Sequence, residues 1–208
     1  MIDSQAYIKD NIIESIKGTY DNIHENQVEW YESEINRMNE ENRAIDKKAE
    51  AVVTHAFFHI PLVEMADAWN EFADNGFKNT KNFKYVEGII GEGGRRVYCG
   101  YGKDELFEKM LQLGSTKAIY NGHDHINNTT FDYKGIFFSY GYSIDYFAYS
   151  GIDKQGSQRG CTMITCNPNG EFSIDKYNYY SDRYDIEGFT REDVTMQFED
   201  VTYQTPAE

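Results

Sequence analysis

The sequence of this 208-residue chain predicts an α/β fold. Three observations carry that prediction. Segments with helical periodicity alternate with short β-branched and aromatic runs, glycine or proline ends most of these segments, and histidines directly follow two of the runs. A hydrophobic content of 40% and an aromatic content of 15% are typical of a globular chain with a sizeable core. We expect one domain over residues 1–180 and a solvated acidic tail over residues 181–208.

The first predicted element is an amphipathic helix from about Asn26 to Lys48. Asn26, followed three residues later by Glu29, matches a capping box. Apolar residues then recur at helical spacing with charges between them: Val28, Tyr31, Ile35, Met38 and Ile45. This pattern predicts about five turns with one buried face.

The run A-V-V-T-H-A-F-F over residues 51–58 is nearly continuous in apolar residues. Its length and its β-branched and aromatic content predict a strand that is buried on both faces. Pro61 ends the strand, so His59 is expected at its carboxyl end. His55 lies inside the strand and is expected to be a packing residue.

The second half of the sequence predicts one more helix and a series of strands. The helix covers Asp104–Leu113 and ends at Gly114. The strand T-K-A-I-Y over residues 116–120 leads into a histidine-rich loop. Four further strands are expected to form an antiparallel meander: T-T-F-D-Y, I-F-F-S-Y, R-G-C-T-M-I-T-C and F-S-I-D-K-Y-N-Y. A turn at residues 167–170 separates the last two.

Charge and composition exclude several classes of partner. A net charge of −15 argues against nucleic acid, because phosphate binding requires a basic surface. No apolar run approaches the length of a membrane span and the N-terminus has no signal pattern, so we expect no membrane association and a cytoplasmic location. The three cysteines show no C-x-x-C spacing. Cys161 and Cys166 lie in an apolar run and are expected to be buried thiols in a reducing compartment.

Two of the five histidines lie one residue apart in Y-N-G-H-D-H-I-N-N, residues 120–128. His123 and His125 follow one predicted strand and His59 follows another. Because the carboxyl ends of neighbouring parallel strands meet at one sheet edge, three imidazoles are expected to converge there, as in part of a metal site. Gly122 is expected to allow a backbone conformation that a side chain forbids. Asp124 is expected to orient the loop or a ligand imidazole, and a plain polar loop is the alternative.

The segments F-F-H-I-P-L, G-H-D-H and the later R-G resemble the C-terminal half of calcineurin-like metallophosphoesterases, in particular the purple-acid-phosphatase-like subgroup. M-I-D-S, Y-D-N-I-H-E-N-Q-V-E-W-Y and Y-G-Y-S-I-D-Y-F-A-Y-S-G extend the resemblance over most of residues 1–177. It implies part of a four-layer α/β/β/α sandwich with the N-terminal half missing. It also implies two metal ions in a complete domain (Fe, Zn, Mn or Mg), with His59 and His123 on one ion and His125 on the other.

The family's D-x-H, G-D-x-x-x-D and G-N-H-D/E motifs do not precede M-I-D-S, so the resemblance implies that the bridging aspartate is lacking here. We therefore expect at most one bound ion and impaired hydrolysis of a phosphorylated substrate, with a separate N-terminal half as a candidate partner. The remaining candidates for orienting ligands or contacting substrate are Asn121, Asp124, Tyr142 and Arg159, with Tyr146 and Tyr149 as cleft residues. Three alternatives stay open: an inactive remnant acting as a binding module, a fragment unable to fold alone, and a mononuclear three-histidine zinc enzyme.

Overall fold

A computed structural model describes residues 1–9, 17–144, 148 and 160–178. Its helices are α1 Glu25–Ile45, α2 Val63–Asp74 and α3 Leu106–Leu113. Its strands are β1 Thr54–Phe57, β2 Phe83–Glu87, β3 Thr116–Asn121, β4 Thr130–Tyr133, β5 Ile136–Tyr140, β6 Gly160–Cys166 and β7 Phe172–Asn178. The predicted α/β class is confirmed, because these helices accompany a mixed parallel and antiparallel sheet.

The main sheet has five strands in the order β1-β3-β5-β4-β2. Strands β1, β3 and β5 are parallel, whereas β4 pairs antiparallel with both β5 and β2. The predicted four-strand meander is therefore wrong, since within the described residues β6 and β7 pair with each other as a separate two-stranded ribbon. The physical reason is that β3 and β4 already occupy both edges of β5, which leaves no edge for β6.

The two faces of the sheet have different partners. One face carries Ala56, Ile119, Phe138 and Phe131 in lateral register, all of them buried. Helices cover this face, and Phe107 of α3 packs against Phe138 with ring centroids 5.4 Å apart. The ribbon meets the opposite face, where Phe172 of β7 contacts both His55 and Phe137. The strands therefore lie between a helical layer and the ribbon.

Helix α1 begins and ends differently from the prediction. His24 precedes its first residue, and the backbone N–H of His24 donates to Gln27 Oε1 at 2.9 Å, in place of the expected Asn26–Glu29 box. The predicted core positions near the start of the helix are buried, but Ile45 is 89% exposed. The chain returns beside Asn39, whose Oδ1 accepts from the N–H of Val52 at 2.8 Å, so the last turn extends beyond the core.

Helix α2 and strand β2 were not predicted. The buried residues of α2 recur at helical spacing: Glu64, Met65, Ala68, Trp69 and Phe72. The apolar members of that spacing were a readable signal directly after Pro61. Strand β2 is short, and lysines and asparagines precede it, which is typical of a loop. Tertiary stacking stabilises it, since the Phe83 ring lies 4.5 Å from Phe72 and 4.6 Å from Phe131.

Strand β1 is an edge strand and is not buried on both faces as predicted. Only four residues are in strand conformation, and β3 is their neighbour on one side. On the other side the N–H of Ile2 donates to the carbonyl of Phe57 at 3.1 Å. Phe57 remains 38% exposed, so the face of β1 that carries its side chain is only partly covered. Within the described residues, no helix is long and apolar enough to cross a bilayer.

The expected burial of Cys161 and Cys166 is also wrong, because both cysteines are exposed. They lie on β6, one strand of the two-stranded ribbon. A ribbon of this kind has two open edges and one outer face, so apolar composition alone does not bury its side chains.

Candidate metal centre

The pairing of β1 with β3 brings His59 and His123 together. Phe57 lies opposite Tyr120 in this parallel pair, and two hydrogen bonds continue the ladder beyond it. The N–H of Phe58 donates to the carbonyl of Tyr120 at 3.2 Å, and the N–H of Gly122 donates to the carbonyl of His59 at 3.1 Å. As a result the His59 and His123 rings meet edge to face, with centroids 5.2 Å apart.

Gly122 serves close packing and not an unusual backbone conformation. A Cβ at this position would lie 3.1 Å from His59 Nδ1 and 3.5 Å from its Cε1. The positive φ lies at the next residue, His123, at 69°. Histidine is one of the residue types that tolerate this region better than most. The expected role of Gly122 is therefore corrected: it leaves room for the His59 ring.

Gly122→Ala is expected to displace the His59 ring and to weaken Zn²⁺ binding by about tenfold, the usual size of effect when the orientation of a metal ligand is disturbed. Gly141→Ala is the matched control, because among the described residues its added Cβ would meet the carbonyl oxygen of Asn121 alone, at 3.8 Å. Isothermal titration calorimetry on both variants measures the difference. Equal Zn²⁺ affinities would contradict the packing role of Gly122.

The histidines influence one another electrostatically. Burial, together with smaller contributions from the neighbouring His59 and His125, lowers the pKa of His123 to about 4. Burial and His125 also lower the pKa of His59. Both rings are thus neutral at neutral pH, and neutral imidazole is the form that binds metal ions.

Asp124, which lies between the two motif histidines, stabilises the loop by hydrogen bonds. Its Oδ2 accepts from the N–H of Tyr98 at 3.0 Å, from Asn127 Nδ2 at 2.9 Å and from the hydroxyl of Tyr140. Asp124 is buried, and burial raises its pKa to about 7 although the hydrogen bonds oppose that shift. This carboxylate oxygen is therefore engaged with the fold.

Asn127 and Asn128, which follow G-H-D-H, hold the loop against residues 89–92 by hydrogen bonds. This role was not predicted from the sequence. Asn127 Oδ1 accepts from the N–H groups of Gly91 and Glu92 at 2.8 and 3.0 Å. Asn128 Oδ1 accepts from the N–H of Ile89 at 2.7 Å. Lys176 of the ribbon donates to the backbone carbonyl of Asn128. Two adjacent asparagines directly after the motif were the available signal, and the structure shows that both are buried, where an amide requires several partners.

Tyr20 is a second missed neighbour of the site. Its ring meets the His123 ring edge to face, with centroids 4.4 Å apart. A hydrogen bond with Tyr7, together with burial, raises the pKa of Tyr20 to about 12, so its hydroxyl stays protonated at neutral pH. No local pattern in the sequence indicated this contact, which spans more than a hundred residues.

Asn121 lies at the end of β3, where its side chain is buried. Its Nδ2 donates to the carbonyl of Phe58 at 3.2 Å, while its Oδ1 has no hydrogen-bond partner among the described residues. Asn121, His59 and Tyr142 line one cavity of about 900 Å³. Arg159, Tyr146 and Tyr149 lie outside the described residues.

The donor groups of the described residues do not form a two-ion centre. The His59 and His123 imidazoles are donors of the type that a borderline divalent ion such as Zn²⁺ takes, and Asn121 Oδ1 is a buried oxygen without a hydrogen-bond partner among the described residues. In the described part of the chain, no group of three or more His, Cys, Asp or Glu side chains has the geometry to hold a metal ion. A closed two-ion centre requires such groups, including a bridging carboxylate.

Comparison with known proteins gives two curated relatives, both from Arabidopsis thaliana. "Probable inactive purple acid phosphatase 28" is 28% identical over 133 residues, which cover 64% of this chain and 28% of the relative. "Probable inactive purple acid phosphatase 29" is 28% identical over 151 residues, covering 72% of this chain and 34% of the relative. The chain thus spans about a third of the length of these relatives.

No family model matches the chain, and no solved structure matches it significantly. The relationship therefore rests on the two relatives and on the motifs F-F-H-I-P-L and G-H-D-H, from which His59 and His123 meet at one sheet edge. This chain is a relative of the purple-acid-phosphatase-like metallophosphoesterases.

Proposed function

We propose that this chain binds one divalent metal ion between His59 and His123, with His125 moving in to complete the ligand set, and that it holds phosphorylated ligands there without hydrolysing them efficiently. The observation that carries this proposal is the 5.2 Å approach of the His59 and His123 rings at the carboxyl ends of two parallel strands. His125 interacts electrostatically with both of these histidines, because it lowers the pKa of each of them.

Binding of an ion and of a phosphorylated molecule requires two conditions. The imidazoles must be neutral, and the site must be accessible from solvent. The pKa values of His59 and His123 are lowered, so both imidazoles are neutral at neutral pH and the first condition is met. The position of His59, exposed on the wall of the 900 Å³ cavity, supplies the second. A bound divalent ion would attract the oxygens of a phosphate group, which is the Lewis-acid part of phosphoesterase chemistry.

We expect weak hydrolysis because the carboxylate of Asp124 is engaged in hydrogen bonds within the fold. In two-metal hydrolysis one ion generates hydroxide while both ions stabilise the transition state. Asp124 is the only acidic residue between the motif histidines, and three hydrogen bonds engage its Oδ2. The names of both relatives also include the word "inactive", which supports the same proposal.

The chain loaded with Zn²⁺ or Mn²⁺ is expected to hydrolyse p-nitrophenyl phosphate no faster than the His123→Ala/His125→Ala double variant. The reason is that an isolated ion lacks the second ion of the two-metal mechanism. Steady-state release of p-nitrophenolate measures both rates under identical metal concentrations. Metal-dependent turnover well above the double variant would overturn the proposal and would show that further ligands complete the site.

A further inference from the structure

A thiol, an imidazole and a phenol lie in contact on the ribbon side of the sheet, apart from the histidines of the metal centre. Cys166 Sγ is 3.6 Å from His55 Nε2, and His55 Nδ1 is 3.1 Å from the Tyr120 hydroxyl oxygen. We propose that Cys166 is a site of reversible covalent modification by thiol–disulfide exchange with small disulfides, and that His55 acts as the base that accepts the thiol proton. A nucleophile, a base and a third group that orients the base are the arrangement that such activation requires.

The His55 ring is held in place by aromatic contacts from two strands. It stacks on the Tyr120 ring of β3 with centroids 5.8 Å apart and an interplanar angle of 15°. The Phe172 ring of β7 meets it edge to face at 4.8 Å. These contacts restrict rotation of the imidazole, so Nε2 stays directed at the sulfur at the end of β6. His55 is thus a packing residue, as predicted, that also contacts a nucleophile.

The three cysteines differ in what their surroundings allow. Burial raises the pKa of Cys99 to about 11, so this thiol stays protonated and unreactive at neutral pH. Cys161 and Cys166 are both exposed on the same strand and are accessible to a dissolved disulfide. Among the described contacts, His55 is a partner of Cys166 and not of Cys161. Cys161 therefore serves as an internal control, because it is an exposed thiol that has no contact with His55 among the described residues.

The exchange reaction balances without any additional oxidant. Burial lowers the pKa of His55, so the ring is neutral at neutral pH. With Nδ1–H donating to the Tyr120 hydroxyl oxygen, the Nε2 lone pair faces the thiol and takes its proton. The Cys166 sulfur then attacks one sulfur of the small disulfide, whose S–S bond breaks. The other sulfur leaves as a thiolate and takes up the proton, so the products are a mixed disulfide on Cys166 and one small thiol.

The test is the rate of mixed-disulfide formation at each cysteine when the full chain reacts with oxidised glutathione at neutral pH. Peptide mass spectrometry reports both sites in the same sample. We expect Cys166 to react roughly three- to tenfold faster than Cys161, because an imidazole lies beside the Cys166 sulfur to accept its proton. His55→Gln is expected to reduce the Cys166 rate to that of Cys161 and to leave the Cys161 rate unchanged.

Tyr120→Phe provides a second variant that retains the stacked ring and removes only the hydroxyl that orients His55. It is expected to slow Cys166 selectively, by less than His55→Gln does. If His55→Gln disturbs the fold, shown by a changed circular dichroism spectrum, the Tyr120→Phe result decides. Equal rates at Cys166 and Cys161 in the unaltered chain, or a Cys166 rate that neither substitution changes, would overturn the proposal.

Discussion

Replacing His123 with alanine is expected to abolish Zn²⁺ binding, and the unaltered chain is expected to bind at most one equivalent. His123 supplies one of the two imidazoles that meet at 5.2 Å, and its low pKa keeps that ring available at neutral pH. With one imidazole removed, too few protein ligands remain for a divalent ion that takes nitrogen ligands in a tetrahedral set. Isothermal titration calorimetry and elemental analysis measure affinity and stoichiometry.

His123 has a φ of 69°, so alanine also introduces backbone strain of about 1 kcal/mol. His123→Asn separates the two effects, because asparagine tolerates this conformation and has no imidazole. Both variants are expected to lose Zn²⁺ binding, while only the alanine variant melts at a clearly lower temperature. His24→Ala is the control, since His24 is exposed and pairs with Asp21 at 2.9 Å. Unchanged Zn²⁺ affinity in His123→Asn, or two tightly bound ions in the unaltered chain, would show that other residues form the site.

Asp124→Ala is expected to cost the fold about 3 kcal/mol or more, because it leaves three donors without their acceptor and each such loss costs about 1–3 kcal/mol. The donors belong to the Tyr98 backbone, Asn127 and Tyr140, so the change affects the loop from several sides. Urea unfolding followed by circular dichroism measures the free energy of unfolding.

The control for this change is Asp74→Ala, at an exposed aspartate at the end of α2, which is expected to leave the free energy of unfolding within experimental error. Asp124→Asn retains one oxygen acceptor and is expected to lie between the two. An Asp124→Ala variant as stable as Asp74→Ala would mean that the loop relaxes to satisfy its donors elsewhere.

Local patterns predicted most of the secondary structure because burial of one face imposes a period on the sequence. The spacing of Val28, Tyr31 and Ile35 indicated α1, and the turn at residues 167–170 indicated the β6–β7 hairpin. The prediction failed where stability comes from distant contacts. Strand β2 is stabilised by rings of α2 and β4, and no short stretch of its own sequence records that packing.

The same division holds for the candidate site. The sequence by itself determined that His59 and His123 follow strands, because strand runs and their ends are local features. Tertiary structure alone decided that β1 and β3 are parallel neighbours, so that the two rings meet. It also decided that Gly122 leaves room for the His59 ring and that Asp124 stabilises the loop by hydrogen bonds. It placed Cys166 beside His55, 111 positions away in the chain. The physical reason is that strand pairing and side-chain contacts depend on which segments bury each other's surfaces, and that information is spread over the whole chain.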